Sequence, residues 1–145
     1  MEKRRKKILV AVDGSDNSKR ALSEAKRYAQ MTEAEVTILT VLEHTFALHY
    51  SSPSDSVDNG ELNREEAGQA ILKEALTFFQ DFEGEVHTSL RNGYPASELL
   101  EEADDGNFDL IVMGSRGLSA FSRTFLGSVS NKVLNYSDAD VLIVR

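Results

Sequence analysis

The sequence predicts an α/β fold: an open, doubly wound, five-stranded parallel sheet with helices on both faces. Three observations predict it. Five short apolar runs rich in β-branched residues and leucine are separated by segments of helical period. Three of those runs are nearly continuous, the pattern of strands buried on both faces of a parallel sheet. At 145 residues the chain is one domain, large enough to bury a core without staples.

The first run, Ile8–Val12, is apolar throughout and predicts a central strand. After the turn-rich "DGSDNS" (Asp13–Ser18), Ala21, Leu22, Ala25 and Tyr28 recur at helical spacing and mark one apolar face. Val36–Leu42 predicts the second strand. Glu43–Glu61 follows with no clear period, and serine, aspartate, proline and glycine crowd its second half. An irregular segment this long is either functional or disordered, and its composition predicts a mobile loop. Ile71, Ala75, Phe78 and Phe82 give the second helical face, and Val86–Leu90 the third strand. Pro95 suits a first helical turn, with Leu99, Leu100 and Ala103 as that helix's apolar face. Leu110–Met113 is the fourth strand; Val129, Val133 and Tyr136 mark the fourth helix; Val141–Val144 is the fifth strand. Strand–helix alternation with right-handed crossovers gives the doubly wound class.

Composition narrows the chemistry. The chain has no cysteine, which removes disulfides, thiol catalysis and cysteine-based zinc sites. No apolar run nears the roughly 18 residues of a membrane span. The basic start "MEKRRKK" leads into an apolar run too short for a signal peptide, so a cytoplasmic location is expected. Net charge is −8; residues 2–7 carry five basic and one acidic side chain, leaving −12 on the rest. Such a body repels nucleic acid, which needs a basic footprint. The lysine–arginine run reads as a solvated lead-in.

Ligands of open α/β sheets sit beyond the carboxyl ends of the strands, where two segments stand out. "DGSDNS" taken alone is a tight turn with a helix cap. The stretch "VMGSRGLSAFSRTFLGSVS" is harder to reduce to a turn, because Gly114, Gly117 and Gly127 punctuate it and Gly127-Ser128 opens a helical pattern. Gly114 lets backbone pass close to a ligand, and Gly117 is free to take positive φ. A helix start offers unpaired N–H groups and a positive dipole end. Ser128 and Ser130 add hydroxyls and Arg116 adds charge. Neither segment is a Walker loop or a dinucleotide fingerprint. His44 and His49 in the irregular loop, and His87 in a strand, read as surface or half-buried residues, with no metal ligand assigned. Glu101, Glu102, Asp104 and Asp105 read as the wet face of a helix, and Phe78, Phe79 and Phe82 as core.

The spacing Gly114, Gly117, nine residues, Gly127-Ser128 resembles the G-x2-G-x9-G-[ST] signature of the universal stress protein family. "KILVAVDGSDNSKRAL", "GYPASELLEEA", "FDLIVMGSRG" and "DVLIVR" are similar to that family too, so the resemblance spans essentially the whole chain. It implies a sheet order of 3-2-1-4-5 and the ATP-binding branch, with AMP or ADP as alternatives and Mg²⁺ carried by the phosphates. By position, Ala11, Val12, Asp13 and Val41 would surround adenine and ribose. Met113, Gly114, Arg116 and Gly117 would line the ribose and phosphate path; Gly127, Ser128, Val129 and Ser130 would hold the phosphates. The resemblance also implies a homodimer through strand 141–144, whose unpaired edge is a pairing template. The resemblance further implies a nucleotide-dependent stress-response regulator or sensor; no set of residues suited to activating water stands out, so at most slow incidental ATP hydrolysis is expected. The alternative is an interaction module of the same fold that binds no nucleotide. An adenylate-forming enzyme is a weaker third reading, since "DGSDNS" supplies one glycine where a glycine-rich loop is needed.

Overall fold

A computed structural model of the protein describes residues 4–43, 57–116 and 126–145, with the side chains of 57–62 left aside. The elements run β1 (Lys7–Ala11), α1 (Asp16–Thr32), β2 (Glu35–Glu43), α2 (Val57–Leu76), a 3-10 turn (Thr77–Phe79), β3 (Val86–Gly93), α3 (Pro95–Asp105), β4 (Leu110–Gly114), α4 (Ser128–Tyr136) and β5 (Asp140–Val144). All four ladders are parallel and the strand order is β3-β2-β1-β4-β5. The expected class and order are those observed.

Each strand divides its side chains between two cores, because successive residues face opposite sides. Ile8, Val10, Val36, Ile38 and Val112 pack with Ala21, Leu22 and Ala25 of α1 and Leu72 and Ala75 of α2. Leu9, Leu39, Ile111 and Met113 pack with Ala96, Leu99 and Ala103 of α3 and Val133 of α4. Leu9, Val10, Ile111 and Val112 are fully shielded from solvent, which is why β1 and β4 read as unbroken apolar runs. Phe78, Phe79 and Phe82 are core residues of the α1/α2 side, with Phe79 and Phe82 edge to face at 5.4 Å.

Three expectations are corrected. The irregular segment is shorter than Glu43–Glu61: Glu43 ends β2 and residues 57–61 belong to α2, while the rest of it, with His44 and His49, lies outside the described residues. Ile71, Leu72 and Ala75 anchor α2 on the sheet, and extending an anchored helix costs little per residue even through weak formers. Tyr136 is 72% exposed rather than part of an apolar face. Helical period fixes an angle, not whether a facing element reaches the helix's last residue. The basic lead-in is not merely solvated. Arg4 donates to Asp109 Oδ1 at 2.6 Å, Lys7 N–H donates to Asp109 Oδ2 at 2.9 Å, and the Lys7 ammonium lies 4.6 Å from the Phe108 ring centroid. Asp109 N–H donates back to Lys7 O and its carbonyl accepts from Asp140 N–H, so Asp109 ties the amino ends of β1, β4 and β5 together.

Candidate functional site

β1 leads to α1 on one face of the sheet and β4 leads to α4 on the other, so the chain diverges between these adjacent strands. Such a switch point opens a crevice at the carboxyl ends, the general ligand position in this architecture.

The β1 side of the crevice is a self-satisfied turn. Gly14 takes φ 86°, which glycine adopts without strain. Asp13 Oδ1 accepts the Ser15 N–H at 2.9 Å. Ser15 caps α1: its hydroxyl accepts the Ser18 N–H at 3.2 Å, and the Ser18 hydroxyl donates back to Ser15 O at 2.9 Å. The turn and cap read from "DGSDNS" are both present. The cap takes up the Ser18 N–H, and Asp16 places a carboxylate in the first turn of α1, which disfavours an anion there.

The β4 side is different. Gly127 occupies the cap position of α4 and, having no side chain, leaves the first turn uncapped. Asn131 N–H closes the first helical bond on Gly127 O at 2.9 Å. Among the described residues, none accepts from the N–H of Ser128, Val129 or Ser130. This start is bolted to the exit of β4: Gly127 N–H donates to Ser115 O at 2.7 Å, and the buried Ser130 hydroxyl donates to Gly114 O at 2.8 Å. The crevice therefore brings together a helix start with a side-chain cap and an acidic first turn and, among the described residues, one with neither, and the second is the better place for an anion.

The residues expected to form the site fall into three groups. Ala11, Val41, Met113 and Val129 all belong to the core on the α3/α4 face. Gly114, Arg116, Gly127, Ser128 and Ser130 meet at the β4 exit. Asp13 follows Ala11 by two positions at the end of β1. Val12 departs from this set: its side chain is buried on the α1/α2 face, its N–H donates to Leu39 O at 2.9 Å and its carbonyl accepts from Thr40 Oγ1 at 2.7 Å. Gly117 lies outside the described residues.

Three details of the expectation change. Gly114 lacks a side chain because α1 crowds it: a Cβ there would overlap Asn17 Oδ1 and sit 2.7 Å from Asn17 Cγ. The Ser130 hydroxyl has one proton and gives it to Gly114 O, so it has none for a phosphate. Gly127 has φ −62° and ψ 159°, extended backbone that any residue adopts, so its glycine is not a conformational requirement. Asn17, which touches both Gly114 and Arg116, went unnoticed because in "DGSDNS" it reads as one more turn-favouring residue.

Two charged clusters lie outside the crevice. Arg91 on β3 is half-buried and faces Glu98, Glu101, Glu102 and Asp105 of α3 at 3.0–3.5 Å. Burial opposes its charge, but Glu102, Glu101 and Glu98 outweigh that and raise its pKa. At the amino end of the sheet, Glu35, Glu85 and His87 each bring one ligand atom within 4.8 Å of the others. Lys7 stands 3.9 Å from Glu35 and Arg5 3.6 Å from Glu85, so cations of the chain itself offset these carboxylates. His87 is exposed, within the surface reading made of it.

An open, doubly wound, five-stranded parallel sheet whose chain diverges between β1 and β4 defines the class of α/β protein to which this chain belongs. Residues 4–145 match the family model described as "Universal stress protein family". The chain is 37% identical to universal stress protein YxiE of Bacillus subtilis over 145 residues, covering 96% of this chain and 98% of that protein. It superposes on the universal stress protein UspA from Lactobacillus plantarum with a TM-score of 0.79 at 27% identity, covering 99% of this chain and all of that one. It also superposes on a universal stress protein in complex with cAMP, with a TM-score of 0.73 at 31% identity and 97% of both chains covered. The chain belongs to the universal stress protein family.

Proposed function

We propose that the protein binds an adenine nucleotide, ATP foremost with AMP or ADP as alternatives, and acts as a nucleotide-dependent regulator or sensor in stress response. The observation that carries this is the start of α4. The N–H groups of Ser128, Val129 and Ser130 have no acceptor among the described residues, and bonds to Ser115 and Gly114 hold this helix start at the switch point. Phosphate oxygens accept from those groups and gain from the helix dipole. The apolar residues Ala11, Val41 and Met113 suit an adenine ring. Asp13 has one oxygen committed to Ser15 N–H, leaving the other for a ribose hydroxyl or a phosphate-bound Mg²⁺. A similar protein of the family is complexed with cAMP, which supports a nucleotide over other anions.

The reading is of a binding protein rather than an enzyme, cytoplasmic, and dimeric through the β5 edge. One observation favours the alternative of a module that binds no nucleotide. Gly114 and Ser130 each have an internal reason to be what they are, so part of the signature is explained without a ligand.

Calorimetric titration with ATP, on wild type and Gly127→Val, separates the two. The extended backbone at residue 127 suits a β-branched residue, so valine is expected to keep the local conformation while its methyls compete with a phosphate for the start of α4. Losing two bonds to a charged oxygen, about 1.5–3 kcal/mol each, weakens binding by at least a hundredfold. Wild-type affinity in a folded Gly127→Val protein would return the segment to a turn and helix start.

A further inference from the structure

Asn17 is the second residue of α1, and its side chain leaves its own helix to serve two distant segments. It is 7% exposed. Its Oδ1 accepts the Arg116 N–H at 2.8 Å and its Nδ2 donates to Val144 O at 3.1 Å, across 99 and 127 positions of sequence. The partners fix which end of the amide points where, since an N–H needs an acceptor and a carbonyl needs a donor. Val144 O also accepts the Ser115 N–H at 2.9 Å.

The β4 exit is thus held at three consecutive residues. Gly114 O is held by Ser130, Ser115 by Val144 and Gly127, and Arg116 N–H by Asn17. Two of these anchors come from α4 and one from β5; Asn17 brings in α1. Few side chains fill its role. Alanine reaches neither partner, serine is too short to reach both, and aspartate would set an oxygen against Val144 O with no proton between them.

We infer that Asn17 is a positioning residue for the nucleotide crevice: it sets the direction of the Gly114–Arg116 backbone and locks the end of β5 to the same turn. The first glycine of the signature serves this contact. It is absent of side chain so that Asn17 fits, rather than so that a ligand does. The inference rests on the nucleotide-binding reading for its consequence, but its geometry has an independent readout.

The experiment compares wild type, Asn17→Ala, Gly114→Ala and the double variant by ATP titration, thermal midpoint and hydrogen exchange of the Arg116 amide against core amides such as Leu9. Asn17→Ala should speed Arg116 exchange at least tenfold while Leu9 changes little, and weaken ATP binding about tenfold, the equivalent of one lost positioning bond. Gly114→Ala alone should lower the thermal midpoint and weaken ATP more than Asn17→Ala does. The double variant should recover both relative to Gly114→Ala. With the asparagine trimmed, the new methyl meets the residue-17 backbone carbon at 3.3 Å, which a shift of a few tenths of an ångström relieves. Protection of Arg116 unchanged in Asn17→Ala, or a double variant no better than Gly114→Ala, overturns the inference. If wild type binds no adenine nucleotide, the functional reading fails, while amide exchange and thermal rescue still decide the role of Asn17.

Discussion

Two serines two positions apart on α4 should behave oppositely when each is cut to alanine. Ser130 is 3% exposed and its hydroxyl donates to Gly114 O at 2.8 Å. Ser128 opens the helix on the exposed side. Ser130→Ala leaves a carbonyl in a buried position without that donor, which costs about 1–2 kcal/mol. For a chain of this size that is a fall of roughly 3–6 °C in thermal midpoint. Ser128→Ala removes an exposed hydroxyl from a first helical turn and should stay within about 0.5 kcal/mol of wild type. The assay is paired thermal and urea unfolding of both variants, followed by ATP titration. The two effects should cross: Ser130→Ala loses stability, whereas Ser128→Ala keeps it and loses affinity through the missing donor. Equal midpoints for the two variants would refute the assignment of Ser130 to the scaffold.

Further outcomes follow from the charged clusters and the sheet edge. Arg91→Ala should destabilise the fold by about 1–3 kcal/mol at neutral pH, since it leaves Glu98, Glu102 and their neighbours facing one another half-buried; unfolding at stepped pH should show the deficit shrinking as the carboxylates protonate. Lys26 holds the Asp81 carboxyl below its ordinary range, first through their hydrogen bond. That pair adds stability above the ordinary carboxylate pKa and loses it as pH falls through the lower folded value, so an NMR titration should find Asp81 moving up in Lys26→Met. On β5, Asp140 N–H and Val144 O both turn toward β4, so the backbone groups of Ile143 turn outward. Ile143→Pro should therefore weaken a homodimer paired through this edge, and Leu142→Pro should instead damage the β4–β5 ladder; light scattering and unfolding of both variants check the difference.

How much was legible differs by the range of the interaction. Strand and helix order followed from short-range pattern, because burial on two faces leaves the interior positions of β1 and β4 apolar. The crevice was legible for a similar reason, since glycines and serines cluster at the end of β4 and at the start of α4. What the pattern did not show was what occupies the space each small residue leaves. Gly114 read as clearance for a ligand, and the space is filled by Asn17, 97 positions earlier. Nothing in the local sequence marks Arg91 or Asp109, yet both gather partners from other elements. Such pairings are set by sheet order, which local composition does not encode. Val12 entered the expected site by its position in the family resemblance, which does not say which way a side chain turns; strand alternation sends it to the face opposite Ala11.

The position of β1 has a consequence for how the sheet is made. One of its neighbours, β2, is supplied by the next turn of chain, through pairs such as Ile8 with Val36. The other, β4, lies 102 residues away, the separation that also spans Lys7 and Asp109. On the ribosome, then, β1 has one flank bare until more than a hundred further residues have emerged. During that interval the β1–β2–β3 half has α1 and α2 to cover one face and only α3 for the other. The face that waits is the one that later carries Val133 of α4. Synthesis thus presents the apolar residues Leu9 and Leu39 half-covered before the second half arrives, and a chain stalled before β4 should need a chaperone more than a chain released after β5.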